Sequence, residues 1–236
     1  MNNYIVLDIE TTGLRPEQDK ITEIGAVKII DGDISEVFSR LINPQIQIPQ
    51  IITEITGITN EMVKGSPDIS VVLPEFIEFC EGYDIMGHNV RFDFSFLKYN
   101  AVTQKLKFNK NALDTLALAR KFLKQISSRS LTNLCEYYSI EREHAHRGYD
   151  DAKATYKLYK RLKEDFWTEE TADLFIPKPI HYKPAKQEAI TPRQEKYLKD
   201  LISYHNIDFK EQINSLTKSQ ASRFIDKIIS ENGAIR

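Results

Sequence analysis

The stretch Ile5-Val6-Leu7-Asp8-Ile9-Glu10-Thr11-Thr12-Gly13-Leu14 begins as a run of β-forming apolar residues and then places an acid at every second position. Residues 4–9 read as a buried strand. In a strand alternate side chains leave on the same face, so Asp8 and Glu10 converge on one point. Crowded carboxylates beside an apolar strand tend to keep their protons, and a bound divalent cation removes that penalty. A strand leaving the core for water would also carry two such acids. The continuation of the chain favours a site: Thr11-Thr12-Gly13-Leu14 sets hydroxyls, backbone amides and a permissive glycine beside the carboxylates, a surface suited to a terminal nucleotide.

Outward from this strand, residues 22–30 and 34–42 read as two more strands, joined through Asp31-Gly32-Asp33 as a hairpin. Helical patterns come next, over residues 69–81, 92–100, 114–123, 130–138 and 150–164, with a short strand at 84–86 between them. Strands first and interleaved helices later predict an α/β fold whose sheet has mixed strand directions. At 236 residues and 41% hydrophobic content the chain can fill one large core and a smaller appendage.

The composition shifts over residues 177–191, where Pro177, Pro179 and Pro184 alternate with Lys178, Lys183 and Lys186. This predicts a main domain over 1–170, a linker over 171–190 and a small helical tail over 191–236. Thr191-Pro192-Arg193-Gln194 and Thr217-Lys218-Ser219-Gln220 each match a capping box, and apolar residues come after both at helical spacing. Residues 177–236 hold 11 Lys or Arg against 7 Asp or Glu, a balance of +4, which leaves −6 of the total −2 for the rest of the chain. The tail is therefore a candidate for accessory nucleic-acid binding, with an ordinary solvated face as the alternative.

The slightly negative total excludes nucleic-acid binding by bulk charge alone, so any such binding has to come from a site. Cys80 and Cys135 both lie in apolar helical contexts that suit buried core thiols. The first residues lack a basic segment followed by a long apolar run, and no stretch is long enough to span a bilayer, which predicts a cytoplasmic location.

Two further segments carry acids in suggestive places. Gly87-His88-Asn89-Val90-Arg91-Phe92-Asp93-Phe94 comes after a strand and opens a helix, with Asp93 in its first turns; capping alone would also favour an acid there. His146-Arg147-Gly148-Tyr149-Asp150-Asp151-Ala152 leads into another helix, with His146 on the preceding loop and Asp151 on the first turn. A histidine five residues before a carboxylate on a rigid element can reach a water near that carboxylate.

Together the three segments resemble the DEDDh group of the DnaQ-like 3′→5′ exonucleases, the family of polymerase proofreading domains, ribonuclease T and oligoribonuclease. The resemblance covers roughly residues 4–165 and includes Ile21-Thr22-Glu23-Ile24-Gly25-Ala26, Ile55-Thr56-Gly57-Ile58-Thr59 and Asp114-Thr115-Leu116. It implies a ribonuclease H-like mixed sheet flanked by helices. It also implies that Asp8, Glu10, Asp93 and Asp151 bind two divalent cations, Mg²⁺ or Mn²⁺, roughly 4 Å apart, with His146 as general base. Family spacing selects Asp151 over its neighbour Asp150. Gly148 departs from the pattern, where alanine is common, with little expected effect beyond a looser histidine loop.

The resemblance further implies release of nucleoside monophosphates from the 3′ end of single-stranded DNA, in proofreading or repair. The terminal nucleotide would rest on Thr11, Thr12, Gly13 and Leu14, with Ile58 and Phe92 as apolar contacts and His88 and Asn89 nearby. DNA is favoured because residues 55–59 and the early hairpin look most like polymerase C-type and epsilon-like domains, which makes a DNA polymerase or repair complex the expected partner. A 3′-exoribonuclease would use the same acids, and an inactive binding scaffold would lack one of them.

Overall fold

A computed structural model of the chain describes residues 3–142, 147–183, 188–209 and 212–235. They fall into two compact units, Met1–Pro184 and Ala185–Arg236. In chain order the first unit holds β1 (Tyr4–Thr11), β2 (Ile21–Ile30), β3 (Asp33–Leu41), α1 (Gln50–Thr56), α2 (Asn60–Val63), α3 (Ile69–Phe79), β4 (Asp84–Gly87), α4 (Val90–Thr103), β5 (Asn111–Asp114), α5 (Thr115–Phe122), α6 (Leu131–Tyr137), α7 (Gly148–Phe166) and β6 (Lys178–Pro179).

The six strands form one sheet in the order β3-β2-β1-β4-β5-β6. β1, β2 and β3 pair antiparallel, β4 and β5 add parallel to β1, and β6 closes the edge antiparallel. The predicted α/β class with mixed strand directions is what the structure shows. The β2–β3 hairpin turns where Asp31 (φ 52°) and Gly32 (φ 97°) both adopt positive φ, the backbone that two-residue hairpin turns of the primed type require.

β1 sorts its side chains strictly by parity. Ile5, Leu7 and Ile9 enter a core shared with Val72, Leu73 and Phe76 of α3 and Phe94, Phe96 and Leu97 of α4. Tyr4 and Val6 enter the opposite core, shared with Leu118 of α5, Leu134 of α6 and Tyr156, Leu158 and Leu162 of α7. Asp8 and Glu10 continue the second series. The same face that is apolar at one end of β1 is therefore acidic at the other, and it is the face that α7 covers.

Several elements differ from the sequence-based reading. The four-residue strand β5 precedes the expected helix and was too short to show a period. Residues 178–182, expected within the linker, belong to the sheet's edge: Ala112 pairs with Lys178, Ile180 N–H donates to Lys110 C=O at 3.2 Å, and Ile180 and Tyr182 pack on the core. Prolines are tolerated there because an edge strand has no second neighbour asking for its N–H groups.

The second unit consists of α8 (Pro192–Tyr204) and α9 (Lys218–Asn232), built around Leu198, Leu201, Leu216, Ile225 and Ile228. Both helices start with a complete capping box, on Thr191/Gln194 and Thr217/Gln220. Each box satisfies two backbone donors that the first turn would otherwise leave unpaired.

Candidate active site

Asp8, Glu10 and Asp151 form the only group of three or more potential metal-ligating side chains among the described residues, each offering an oxygen within 4.8 Å of the others. Asp8 and Glu10 are partly exposed and Asp151 is buried. The strand supplies the first two by parity. The third arrives because the start of α7 packs backbone against backbone on β1 and β2.

That approach is dictated by two glycines. Gly25 stands opposite Asp8 in the β1–β2 register, and a Cβ there would lie 1.9 Å from the Gly148 carbonyl carbon. A Cβ on Gly148 would in turn meet the Gly25 nitrogen at 2.9 Å and the Asp8 carbonyl oxygen at 3.0 Å. Gly148, expected to matter little, is thus a close-contact position, and one helical turn beyond it stands Asp151.

Asp93 joins from the other side. β4 pairs with β1 only from Tyr4 to Val6, and past that point the Ile9 N–H donates instead to Asp93 Oδ1 at 3.0 Å. Asp93 is 3% exposed on the first turn of α4. It lies outside the three-residue group but near enough to act on it electrostatically.

The charges respond as crowding requires. Asp8 is pushed well above the usual carboxylate range, first by burial and then by Asp93, Glu10, Asp151 and Glu23. Glu10 is raised to about 8, by burial and then by Asp151, Glu23 and Asp93, with Arg147 opposing. Asp93 is raised to about 7, chiefly by burial, although the hydrogen bond from Ile9 N–H lowers it. Such a set resists full ionisation unless a cation compensates it. Every donor is a carboxylate oxygen, a set that suits a divalent cation.

Residues 5–159 match the family model described as Exonuclease, of the RNase T type. The chain belongs to the exonuclease family. It is 37% identical over 165 residues to the DNA polymerase III subunit epsilon of Aquifex aeolicus, covering 70% of this chain and 82% of that protein. It is also 36% identical over 227 residues to a PolC-type DNA polymerase III of Caldanaerobacter subterraneus subsp. tengcongensis, where 92% of this chain covers 16% of the polymerase. The chain thus spans only a small part of the PolC-type relatives it matches. Among solved structures, exonuclease X in complex with 5′ overhanging duplex DNA is similar at a TM-score of 0.58 and 27% identity, covering 73% of this chain and 99% of that one.

Around these acids, Thr11 and Thr12 are buried and Leu14 is 80% exposed. Thr11 Oγ1 donates to the Gly13 carbonyl at 2.5 Å, and Thr12 Oγ1 accepts from Lys20 N–H at 3.0 Å, so both hydroxyls brace the turn after β1. Asn89 (φ 68°) exposes its side chain at the start of α4, while Phe92 is partly buried against Phe96. His88 holds both ring nitrogens at 2.9 Å from partners, Nδ1 from Thr115 Oγ1 and Nε2 from the Arg129 carbonyl. Only a protonated Nε2 can donate to a carbonyl, and burial lowers the pKa of the ring, which braces α5 against the segment before α6.

Ile58, expected against the substrate, is instead fully buried with Ile48 and Val63 in a small cluster of its own. Apolar surface in that region comes from Ile51 and Ile55, 61% and 51% exposed. His146 lies outside the described residues. Asp150 is buried but lines a separate small cavity with Glu141, Lys153 and Lys157, whereas Asp151 joins the acid cluster.

Three side chains escaped the sequence reading. Glu23, 1% exposed and opposite Glu10 in the sheet, accepts from Arg147 and from Gly148 N–H. Arg142 donates from Nη1 to Asp151 Oδ1 at 2.8 Å and from Nη2 to Thr132 Oγ1 at 2.9 Å. The one available signal was Glu23 itself, a charge flanked by buried residues in β2, which demands a partner.

Proposed function

We propose that this chain is a 3′→5′ exonuclease that removes nucleoside monophosphates from single-stranded DNA by two-metal-ion phosphodiester hydrolysis. The observation that carries the reading is the convergence of Asp8, Glu10 and Asp151 within 4.8 Å, with Asp93 anchored to the same strand. Asp8, Glu10 and Asp151, assisted by Asp93, would hold two Mg²⁺ or Mn²⁺ ions. When bound there, such ions supply positive charge to the phosphate oxygens and make an attacking water more acidic.

The chain's own residues do the rest. His146, neutral near pH 7 by its ordinary pKa of about 6.5, removes the proton from the attacking water. Thr11, Thr12 and Gly13 close the site behind the terminal nucleotide, with exposed Leu14 as an apolar contact for the base, and Asn89 and Phe92 border the acids from the start of α4. Apolar packing of this type is indifferent to base identity.

The kinship with an epsilon subunit and with PolC-type polymerases supports DNA as the substrate and a polymerase or repair complex as the partner. In the second unit, Arg193, Lys196 and Tyr197 line a cavity of about 420 Å³ together with Gln194, Asp200 and Ile225. Cationic and aromatic groups side by side suit a sugar-phosphate strand, and this unit would add affinity rather than chemistry.

The test is an oligonucleotide labelled at its 3′ end, offered as DNA and as RNA, in Mg²⁺ and in chelator. The expected result is immediate release of labelled mononucleotide from DNA, dependent on Mg²⁺. Preferential hydrolysis of RNA would move the substrate to a 3′-exoribonuclease. Intact label in Mg²⁺ with both strands would overturn the enzyme.

A further inference from the structure

We infer that Arg147 is a positioning residue for the cation site: by clasping Glu23 it holds the first turn of α7 against β2, and so presents Asp151 to Asp8 and Glu10. The inference rests on the cation-binding reading of the acid cluster and adds a residue that touches none of the three clustered acids. Arg147 Nη2 lies 3.2 Å from Glu23 Oε1, and its Nε lies 3.4 and 3.3 Å from Oε1 and Oε2. Glu23 Oε2 also accepts from Gly148 N–H at 3.2 Å. One buried carboxylate thus grips the residue before α7 and the first residue within it.

The need for this grip arises at the helix start. Arg147 is the N-cap residue of α7 and its side chain makes no capping bond to the helix's own amides. The Gly148 N–H, a donor the helix cannot satisfy internally, is taken by Glu23 from a strand 125 residues away. A carboxylate there is also favoured by the helix dipole. Glu23 in turn is almost wholly buried, so it depends on the Arg147 guanidinium for compensation. Since Gly25 and Gly148 leave no side-chain cushion between helix and sheet, the clasp sets how far α7 slides along β2. Asp151 stands three residues beyond Gly148 and moves with it.

Charge and position make opposite forecasts, which allows a clean test. Arg147 is a cation close enough to Glu10 to act on its carboxyl. If charge were its only influence, removing it would tighten binding of a divalent ion. If it positions Asp151, removing it weakens binding despite the lost repulsion. Groups that orient metal ligands cost roughly 10- to 100-fold in metal affinity when removed.

The experiment titrates Mn²⁺ into the full chain without nucleic acid, monitored by electron paramagnetic resonance, with thermal unfolding of each variant recorded alongside. Arg147→Met is expected to bind Mn²⁺ roughly 10- to 100-fold more weakly than wild type. Arg147→Lys keeps the charge but loses the fork, and is expected to fall between the two. Equal or tighter binding in Arg147→Met overturns the inference. Should Arg147→Met fail to fold, Arg147→Lys decides: weaker binding than wild type supports the clasp, and unchanged or tighter binding overturns it. A wild-type chain that binds no Mn²⁺ would instead refute the cation site itself, a result distinguishable from failure of the clasp alone.

Discussion

Asp8 and Glu10 stand on a strand that runs through the middle of the sheet, whereas Asp151 stands on the first turn of a helix that reaches the sheet late in the chain. The strand wall is held by a ladder: all eight residues of β1 have a partner in β2, with one register shift after Glu10, and three also pair with β4. The helix wall is held by two glycine contacts and by side-chain bonds, Glu23 of β2 to Arg147 and Arg142, from the segment before α7, to Asp151. A ladder makes two acids meet whatever their neighbours are. A docked helix brings its acid to the same point only while each of those specific contacts survives. The strand wall should therefore be robust in geometry and sensitive only to loss of its acids, while the helix wall should be sensitive to changes that touch no acid.

The largest effects come from the acids, where the two walls should behave alike. Asp8→Asn and Asp151→Asn are each expected to reduce mononucleotide release to the background of the assay. Asp150→Asn, a buried change outside the cluster of Asp8, Glu10 and Asp151, should retain far more activity than Asp151→Asn. A deep loss in Asp150→Asn together with an active Asp151→Asn would exchange their roles.

Next in size is His146→Ala, expected to lower turnover by roughly 10²- to 10⁴-fold while strand binding persists. In the wild type the rate should rise with pH through about 6.5, because only the neutral ring accepts a proton. Single-turnover rates between pH 5.5 and 8 in both proteins check this. Parallel pH profiles would remove the histidine from the chemistry.

Stability separates the walls more sharply. Gly25→Ala puts a methyl into the backbone of α7, and forced overpacking costs about 1–3 kcal/mol or more. The expected outcome is a lowered unfolding temperature accompanied by weaker Mn²⁺ binding. Ile24→Val, on the same strand but facing the core, should cost about 0.5–1.5 kcal/mol and leave Mn²⁺ binding unchanged. Equal effects on binding from the two would show that α7 does not depend on the glycine contact.

Stability should also drift with pH. In the folded chain Glu10 is raised to about 8 and Asp93 to about 7, above the values near 4.5 and 3.8 of unperturbed groups. Between roughly pH 4 and pH 8 the unfolded chain has released these protons while the folded chain retains them, so stability falls as pH rises through that window. In chelator the unfolding temperature should decline from pH 5 to pH 8, and Mn²⁺ should restore more of it at pH 8 than at pH 5. A flat profile in chelator would mean that the carboxylates are not crowded.

The same contrast explains what could be read in advance. Strand parity made Asp8 and Glu10 legible as a pair, and Asp31-Gly32 marked the hairpin because only a few residue types accept positive φ. Both capping boxes of the second unit were legible because their bonds span three residues. Contacts that join remote positions left no such trace. Glu23 and Arg147 are 124 residues apart, and Arg142 resembles any loop arginine until α6 and α7 pack beside it. Ile58, expected as an apolar contact for the terminal nucleotide, is instead packed against Ile48 and Val63 in a small cluster of its own. Edge strand β6 was hidden by its proline, which argues against a strand everywhere except at an edge.

The convergence of strand and helix acids on one cation site is tested most directly by a crystal of the chain soaked in Mn²⁺ and measured for anomalous scattering. The expected result is manganese density between the carboxylates of Asp8, Glu10 and Asp151, at the roughly 2 Å distances of a hard cation from oxygen ligands. Manganese bound only elsewhere at saturating concentration, with those three carboxylates empty, would contradict it.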